Sequence, residues 1–265
     1  MKKFLLATSA IVCLVAAAPA GAADIPVKAP VFRPPPPACA QFGGFWLGLN
    51  GGWVGYDYTW NDQNAWTAEV DDRLPRELSA RNNGGAIGIG GGYNWQSNCT
   101  VFGVEVDYAW ASTTADKFHT DTGGFDNLSV SSKLRGFGTL RARSGIVVDN
   151  LLLYVTGGLA WGSFDRSWTL VSFADATETF SQRRTRWGGV VGVGTEWTWG
   201  GGWSIRSEFL YMRFSKDEVA FTSALFDPGD VKNFTSLDSI WTSRIGLTYR
   251  FGGDVFGKRP VSARY

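Results

Sequence analysis

Hydrophobic and polar residues alternate with a period of two in eight separate segments of the chain. The alternation is clearest at 100–110, where aromatic and valine residues alternate with Gly103, Glu105 and Asp107. Such a pattern is typical of strands that have one apolar face and one polar face. The eight predicted strands cover 45–56, 85–95, 100–110, 133–144, 151–162, 187–197, 203–213 and 241–251.

The connections between these segments alternate between long and short. Polar stretches lie at 57–84, 111–132, 163–186 and 214–240, and tight turns lie near 96–99, 148–150 and 199–202. Outer-membrane barrels have long extracellular loops, short periplasmic turns and an even strand count. We therefore predict an all-β fold, an eight-stranded antiparallel up-and-down transmembrane β-barrel over 42–251 with both termini in the periplasm. A soluble β-sandwich is the alternative, but it does not account for this rhythm.

Aromatic residues occur near the ends of the predicted strands, where a barrel places its girdles at the membrane interfaces. We expect one group at the periplasmic edge: Trp95, Trp197, Trp199, Trp203, Tyr249 and Phe251. We expect a second group at the outer edge: Tyr56, Trp110, Trp161 and Tyr211.

The first 22 residues have the features of a secretory signal peptide. Lys2 and Lys3 precede the apolar run 4–18, and Ala20-Gly21-Ala22 offers small residues for cleavage. Cys13 lies inside this run and would be removed with it. We predict a proline-rich periplasmic linker at 23–41 and a C-terminal extension at 252–265.

The charge balance excludes a nucleic-acid partner, which would require a clustered basic excess. Removing Lys2 and Lys3 from the 25 basic residues leaves 23, against 24 acidic residues. After the signal peptide, no stretch approaches the roughly 18 apolar residues of a spanning helix. A membrane role therefore falls to strands.

Charged residues recur on the polar faces of the predicted strands. On a lipid face each would cost roughly 2–4 kcal/mol near the midplane, so we expect them to point into the lumen. One interpretation is a path for protons or ions, and the other is a plug of ion pairs. The plug is favoured because about eight strands enclose a space only just wide enough for side chains. The predicted lumen charge network comprises Glu105, Asp107, Arg141, Arg143, Glu196, Arg206, Glu208, Arg244 and Arg250.

Two cysteines remain in the predicted mature chain. Cys39 directly precedes the first strand and Cys99 lies in the first short turn, so both are expected at the periplasmic rim. Because the periplasm favours disulfides, we predict a Cys39–Cys99 bridge. Two free thiols too far apart to join are the alternative.

The one histidine, His119, falls in the second predicted loop, beside Asp116 and Asp121. It could act as a base or a metal ligand, but a single histidine without cysteine partners is weak support for a metal site. No nucleophile is placed beside it. We predict no catalytic residues, no metal, no cofactor and no enzymatic activity.

Several stretches together are similar to a known family. They are FGGFWLGLNGGW (42–53), VFGVEVDYAW (101–110), GTLRARSG (138–145), YVTGGLAWG (154–162), GGVVGVGTEW (188–197), WSIRSEFLYM (203–212) and RIGLTYRF (244–251). The chain resembles small Gram-negative outer-membrane porin-family or opacity-type surface antigens with an OmpA-type barrel. The resemblance implies an integral outer-membrane protein that meets outer-membrane lipid, lipopolysaccharide and the barrel assembly machinery.

We expect a mainly structural, surface-exposed barrel that permits at most small-solute diffusion. A surface adhesin, or a barrel that binds haem or a host surface, is the alternative. It is motivated by four aromatic residues in predicted loops: Trp60, Trp66, Trp168 and Phe226. A barrel hydrolase that uses His119 is a third possibility. The extracellular ligand stays unknown.

Overall fold

The computed structural model describes residues 39–62, 77–120, 127–171, 177–222 and 231–251. No helix among these residues has the length and apolar character needed to cross a membrane. The regular elements are nine strands: β1 Gly44–Asp62, β2 Glu77–Ser97, β3 Thr100–Thr120, β4 Asn127–Val148, β5 Leu151–Val171, β6 Thr177–Gly200, β7 Trp203–Phe214, β8 Asp217–Thr222 and β9 Val231–Phe251.

The strands form a closed antiparallel barrel. Each of β1 to β6 pairs with the next along the chain, β7 pairs with β9, and β9 pairs back with β1. The short β8 pairs with β9 beyond the end of β7, so β7 and β8 share one position in the wall. The barrel therefore has eight strand positions, and the predicted eight-stranded antiparallel fold is confirmed.

One end of the barrel carries the short turns and is called here the turn end; the opposite end is the loop end. Asn98 and Asp149 adopt φ values of 54° and 53° in two of these turns. Asn and Asp tolerate this left-handed conformation better than other non-glycine residues do. The third turn uses Gly201 and Gly202, also at positive φ. All three turns lie where the sequence predicts them.

The strands are much longer than predicted. β5 continues to Val171 instead of ending at 162, and β6 begins at Thr177 instead of 187. The predicted loops at 57–84, 111–132, 163–186 and 214–240 were therefore too long, because strand covers much of each one. Residues 63–76, 121–126, 172–176 and 223–230 lie outside the described residues.

The cause of this error is a reversal of the polarity pattern along each strand. Near the turn end of β1, Phe45, Leu47 and Leu49 point outward and are exposed. Nearer the loop end, the inward residues Tyr58 and Trp60 are buried, and their outward neighbours are polar. The alternation keeps its phase throughout the strand, but the apolar residues change sides. The zone with outward apolar residues, which in β1 contains Phe45, Leu47 and Leu49, is called the apolar band. The part of the barrel between this band and the loop end, which in β1 contains Tyr58 and Trp60, is called the loop-side extension.

Aromatic side chains border the apolar band at both ends. At the turn end the predicted Trp95, Trp197 and Trp203 are exposed, and at the other border Trp110 and Tyr211 are exposed. Outward-facing aromatics at both borders are typical of a barrel that crosses a lipid bilayer.

Tyr56 was wrongly assigned to the outer girdle. Its even number places it on the inward face of β1, where it is fully buried. Its hydroxyl donates to Asp238 at 2.6 Å. The tyrosine therefore belongs to the filling of the barrel and does not contact lipid.

Two seams divide the wall of the loop-side extension. The β2–β3 ladder begins at Ala86 and Ala111, so 77–85 and 112–120 are not paired with each other. The β6–β7 ladder begins at Gly188 and Phe214, and no backbone pairing among the described residues joins 177–187 to β8. Beyond the apolar band, the barrel thus becomes two four-stranded walls. The first wall contains β8, β9, β1 and β2, and the second contains β3, β4, β5 and β6.

The two walls share an apolar interior. Buried aromatic and aliphatic side chains fill the space between them, and several of the rings touch. Tyr56 lies 5.6 Å from Phe164, and Phe164 lies 5.2 Å from Phe214, measured between ring centroids. The interior therefore resembles the core of a soluble β-sandwich more than an open channel. Its largest members are Tyr56, Tyr58, Trp60, Leu134, Phe137, Phe164, Phe214 and Met212.

Candidate functional site: the packed lumen

A short segment before β1 covers the turn end of the barrel. Cys39 forms a disulfide with Cys99, with 5.5 Å between the Cα atoms, so the predicted bridge is confirmed. The Ala40 amide donates to the Asp149 carbonyl at 3.0 Å, and the Gln96 side-chain amide donates to the Ala40 carbonyl at 2.9 Å. Residues 39–43 are therefore bound both covalently and by backbone hydrogen bonds.

Phe42 inserts into this end of the lumen. Its side chain is fully buried and packs in a cluster with Val101, Val147 and Leu152. The Asn94 amide donates to the Phe42 carbonyl at 2.8 Å. The guanidinium of Arg250 lies 4.8 Å from the Phe42 ring, within cation–π range. We call 39–43 the turn-end cap.

Above the cap, the structure places all nine residues of the predicted charge network inside the barrel. Each is at most 8% exposed. Glu105 lies directly opposite Arg141 in the β3–β4 ladder, and their side chains pair at 2.9 Å. Arg141 also contacts Asp107 at 2.8 Å. These neighbouring-strand pairs are the ones that the spacing of the charges suggested.

Other pairs cross the lumen between strands that are distant in the wall. Arg244 on β9 contacts Asp107 on β3 at 2.8 Å. Arg206 on β7 contacts Glu105 on β3 at 3.1 Å. The sequence gives no indication of these contacts, because they depend on how the closed wall brings opposite strands together.

Glu196 is the acceptor for three arginines. Its carboxylate lies 3.1 Å from Arg143, 3.1 Å from Arg206 and 2.8 Å from Arg250, and it also accepts a hydrogen bond from Ser204 at 2.8 Å. The carboxylate is fully buried. Such a buried charge is tolerated only because its partners replace water.

Neutral residues that the sequence analysis missed complete the network. Tyr154 donates to Glu208 at 2.6 Å, and Thr139 donates to Asp107 at 2.6 Å. The Arg206 guanidinium stacks 3.9 Å from the centroid of the Trp46 ring. The alternation of each strand could have revealed these positions, because Trp46, Thr139 and Tyr154 fall on the inward face.

The nine charged residues of the network form a layer across the lumen, called here the ionic layer. Very little space remains between their side chains. The void among its described residues measures about 20 Å³ and is lined by Asp107, Arg141, Arg206, Glu208 and Arg244. A cavity needs about 10–15 Å³ to accommodate one water molecule. This void therefore has room for about one water molecule.

A second buried ionic cluster lies in the loop-side extension. Asp238 pairs with Arg186 at 3.1 Å and with Arg166, and it accepts the hydrogen bond from Tyr56. Arg166 also donates to Ser236 at 2.7 Å. The sequence analysis missed this cluster because 163–186 and 214–240 were assigned to loops.

Other predicted positions differ from expectation. His119 lies in β3, where its backbone pairs with Leu128, and not in a loop. Trp60 lies in β1 and is 2% exposed, and Trp168 lies in β5. These three assignments to loops were wrong because the strands extend beyond the apolar band. Trp66 and Phe226 lie outside the described residues.

The chemistry available in the lumen is that of fixed charges held in ion pairs. The network contains five arginines and four carboxylates, all in direct contact with opposite charges. Within the described residues, no group of three histidine, cysteine or acidic side chains could hold a metal ion. The arrangement can join distant strands and exclude solutes.

Comparison with known proteins gives consistent similarities. The family model described as the outer membrane protein beta-barrel domain matches residues 9–251. The 31 kDa outer-membrane immunogenic protein of Brucella melitensis is 30% identical over 256 residues, covering 95% of this chain and 100% of that protein. The outer membrane protein OprG from Pseudomonas aeruginosa is 12% identical with a TM-score of 0.46, covering 79% of this chain and 97% of that one.

Proposed function

Because the chain belongs to the outer membrane protein beta-barrel domain family, we propose that it is a surface-exposed structural barrel whose lumen is closed to solutes. One observation carries this proposal: the ionic layer spans the lumen and leaves a void of only about 20 Å³. The turn-end cap and the apolar interior of the extension add two further barriers. The resemblance to porin-family proteins therefore concerns the barrel fold, and in this proposal the barrel does not conduct solutes.

The energetics of the ionic layer support a permanent closure. Opening the layer would separate Arg141, Arg244 and Glu208 from partners within 3.5 Å and leave charges uncompensated. Breaking a buried pair by removing one partner costs about 3–5 kcal/mol. Several such pairs would have to break together before a hydrated ion could pass.

We propose that the turn end faces the periplasm and the loop end faces the exterior. The disulfide at the turn end supports this orientation, since the periplasm is an oxidising compartment. The polar outer surface of the loop-side extension supports it from the other end. The Brucella relative is described as immunogenic, which agrees with exposure of this part at the cell surface.

The proposed role is not catalytic. Glu105, Asp107 and Glu208 each lie in ion pairs, and the nearby Tyr154 hydroxyl is buried against Glu208.

A surface adhesin is the second candidate function, and the structure favours it less than a structural barrel. Trp60, one of the four aromatic residues that suggested an adhesive loop surface, is buried inside the barrel.

Planar-bilayer conductance tests the closed lumen. We expect the purified, folded protein to give no large stable openings, because one water-sized void cannot carry a hydrated ion across the ionic layer. A matched variant, Arg141→Ala with Glu105→Ala, removes one opposite pair together and enlarges the void. That variant should conduct more than the parent, which shows that the assay detects an opened lumen. Large stable openings of the parent protein would refute the proposal.

A further inference from the structure

A charged patch lies on the outer surface of the second wall, just beyond the apolar band. It contains three cations and one carboxylate from three adjacent strands: Lys133 and Arg135 on β4, Asp165 on β5 and Arg183 on β6. Serine and threonine hydroxyls from the same wall line a groove of about 440 Å³ beside Lys133, Asp165 and Arg183. We call these four charged residues the outer patch.

Asp165 holds the two arginines of the patch together. Arg183 donates through Nε at 2.6 Å and through Nη2 at 3.2 Å, and Arg135 donates through Nε to the same carboxylate. The hydrogen bond from Arg183 is the main cause that lowers the pKa of the Asp165 carboxyl below its ordinary value of 3.8. The carboxylate is therefore charged at neutral pH and keeps the two guanidinium groups oriented.

The patch retains donors that Asp165 does not use. A guanidinium has five N–H donors, of which Asp165 accepts two from Arg183 and one from Arg135. The two arginine side chains are 63% and 50% exposed. With three cations and one carboxylate, the patch has a formal charge of +2. Paired guanidinium groups with spare donors are suited to bind phosphate oxygens.

The height of the patch matches a lipid headgroup. Trp161 and Trp187 pair with each other at the border of the apolar band, and Asp165 and Arg183 pair four residues further along the same strands. At about 3.3 Å per residue and a tilt of about 40°, this distance is about 10 Å along the barrel axis. Arg135 lies lower, at the β-bulge between Leu134 and Gly136. The donors thus surround the zone directly above the acyl chains.

We propose that the outer patch binds the phosphate groups of a phosphorylated glycolipid headgroup in the outer leaflet, that is, of a lipopolysaccharide. Cationic side chains at the headgroup level of a membrane protein recognise anionic headgroups. Arg135 and Arg183 supply the charged donors, Lys133 adds a third cation, and the hydroxyls of the groove face the sugar. The proposal assumes the orientation given above, with the loop end outside.

The first wall offers a matched comparison. Arg81 on β2 pairs with Asp57 on β1, and it is also exposed beyond the apolar band, at 74%. This pair has one cation for one carboxylate and therefore no net charge. General attraction of anionic lipid would use both walls, whereas a specific site requires the outer patch alone.

The test measures binding of purified lipopolysaccharide to the folded mature protein in zwitterionic micelles. We expect Lys133→Gln with Arg135→Gln and Arg183→Gln to weaken binding by at least about tenfold, because three charged donors are lost. Arg81→Gln should bind like the parent. Dephosphorylated lipopolysaccharide should bind the parent about as weakly as intact lipopolysaccharide binds the triple variant. Heat-modifiable gel mobility verifies that each variant is folded.

Four outcomes would overturn the proposal. They are unchanged binding by the folded triple variant, an equal loss in Arg81→Gln, equal binding of the dephosphorylated lipid, and full competition by millimolar inorganic phosphate. The last outcome would assign the patch to free phosphate and not to a lipid headgroup. Because the assay uses micelles, it does not depend on orientation or conductance. Its failure is therefore distinguishable from failure of the proposed function.

Discussion

At the scale of single residues, the barrel is held together by ion pairs that are almost completely buried. Glu196 shows the principle best, since one carboxylate receives three arginines from β4, β7 and β9. Glu196 and Arg206 are direct partners in the β6–β7 ladder, whereas Arg143 and Arg250 reach the carboxylate from β4 and β9, each separated from β6 by one strand. Ladder pairs and contacts that skip a strand therefore meet at the same carboxylate.

Glu196→Gln should destabilise the folded barrel strongly. The amide keeps the shape of the side chain but removes the charge that compensates three buried arginines, and a cost of about 3–5 kcal/mol is expected. Urea unfolding followed by tryptophan fluorescence in micelles measures the change. Glu218→Gln on β8 is the control, because Glu218 is exposed and should change stability by no more than about 0.5 kcal/mol. Equal effects of the two substitutions would contradict the importance of the network.

At the scale of strands, the structure changes character at the border of the apolar band. Below it every strand has a neighbour on both sides, but above it 77–85 and 177–186 each pair on one side only among the described residues. The start of each seam has a local cause. On one side the β3–β4 ladder shifts register between Trp110 and Thr113, and on the other β7 ends at Phe214.

Hydrogen–deuterium exchange should reveal the seams. Amides in 77–85 and 177–186 that point toward a seam lack a ladder acceptor, so about half of them should exchange faster than amides in 163–171. The last segment is a suitable reference because it lies in the same extension and pairs with both β4 and β6. Uniform protection of all three segments would show that the seams are closed in solution.

At the scale of the whole molecule, the side chains that fill the barrel change in chemical character along its axis. The turn-end cap lies at one end, followed by the ionic layer and then by the apolar interior, which contains the Asp238 cluster beside Tyr56 and Tyr58. Beyond Trp161, β5 continues for ten residues, which corresponds to about 25 Å of wall above the apolar band. Under the proposed function, the apolar band forms a closed base in the membrane and the extension projects from it into water.

Cysteine labelling of intact cells tests the orientation of the molecule. Ser79→Cys, on the outer face of the extension, should react with a membrane-impermeant maleimide. Asn150→Cys, in a turn at the other end, should react only after the outer membrane is permeabilised. The parent protein should not react in either case, because Cys39 and Cys99 are joined. The reverse pattern of labelling would invert the proposed orientation, and reaction of the parent would contradict the disulfide.

The sequence by itself determined the strand count, the closed antiparallel fold, the three turns and the inward position of the nine charged residues. These features are predictable because the inward or outward direction of each side chain is a property of its own strand. The Cys39–Cys99 pair was predictable for a similar reason, as both positions adjoin the same end of the barrel. Each inference needed only the alternation and the rhythm of the connections.

Only the tertiary structure decided the length of the extension, the two seams, the inward position of Tyr56 and the Asp238 cluster. The apolar side of a strand depends on its surroundings, and these change from lipid to water partway along β1 and β5. Contacts such as Arg244–Asp107 join strands that are far apart in the chain. Both effects arise from closure of the wall around a common interior, which no single segment encodes.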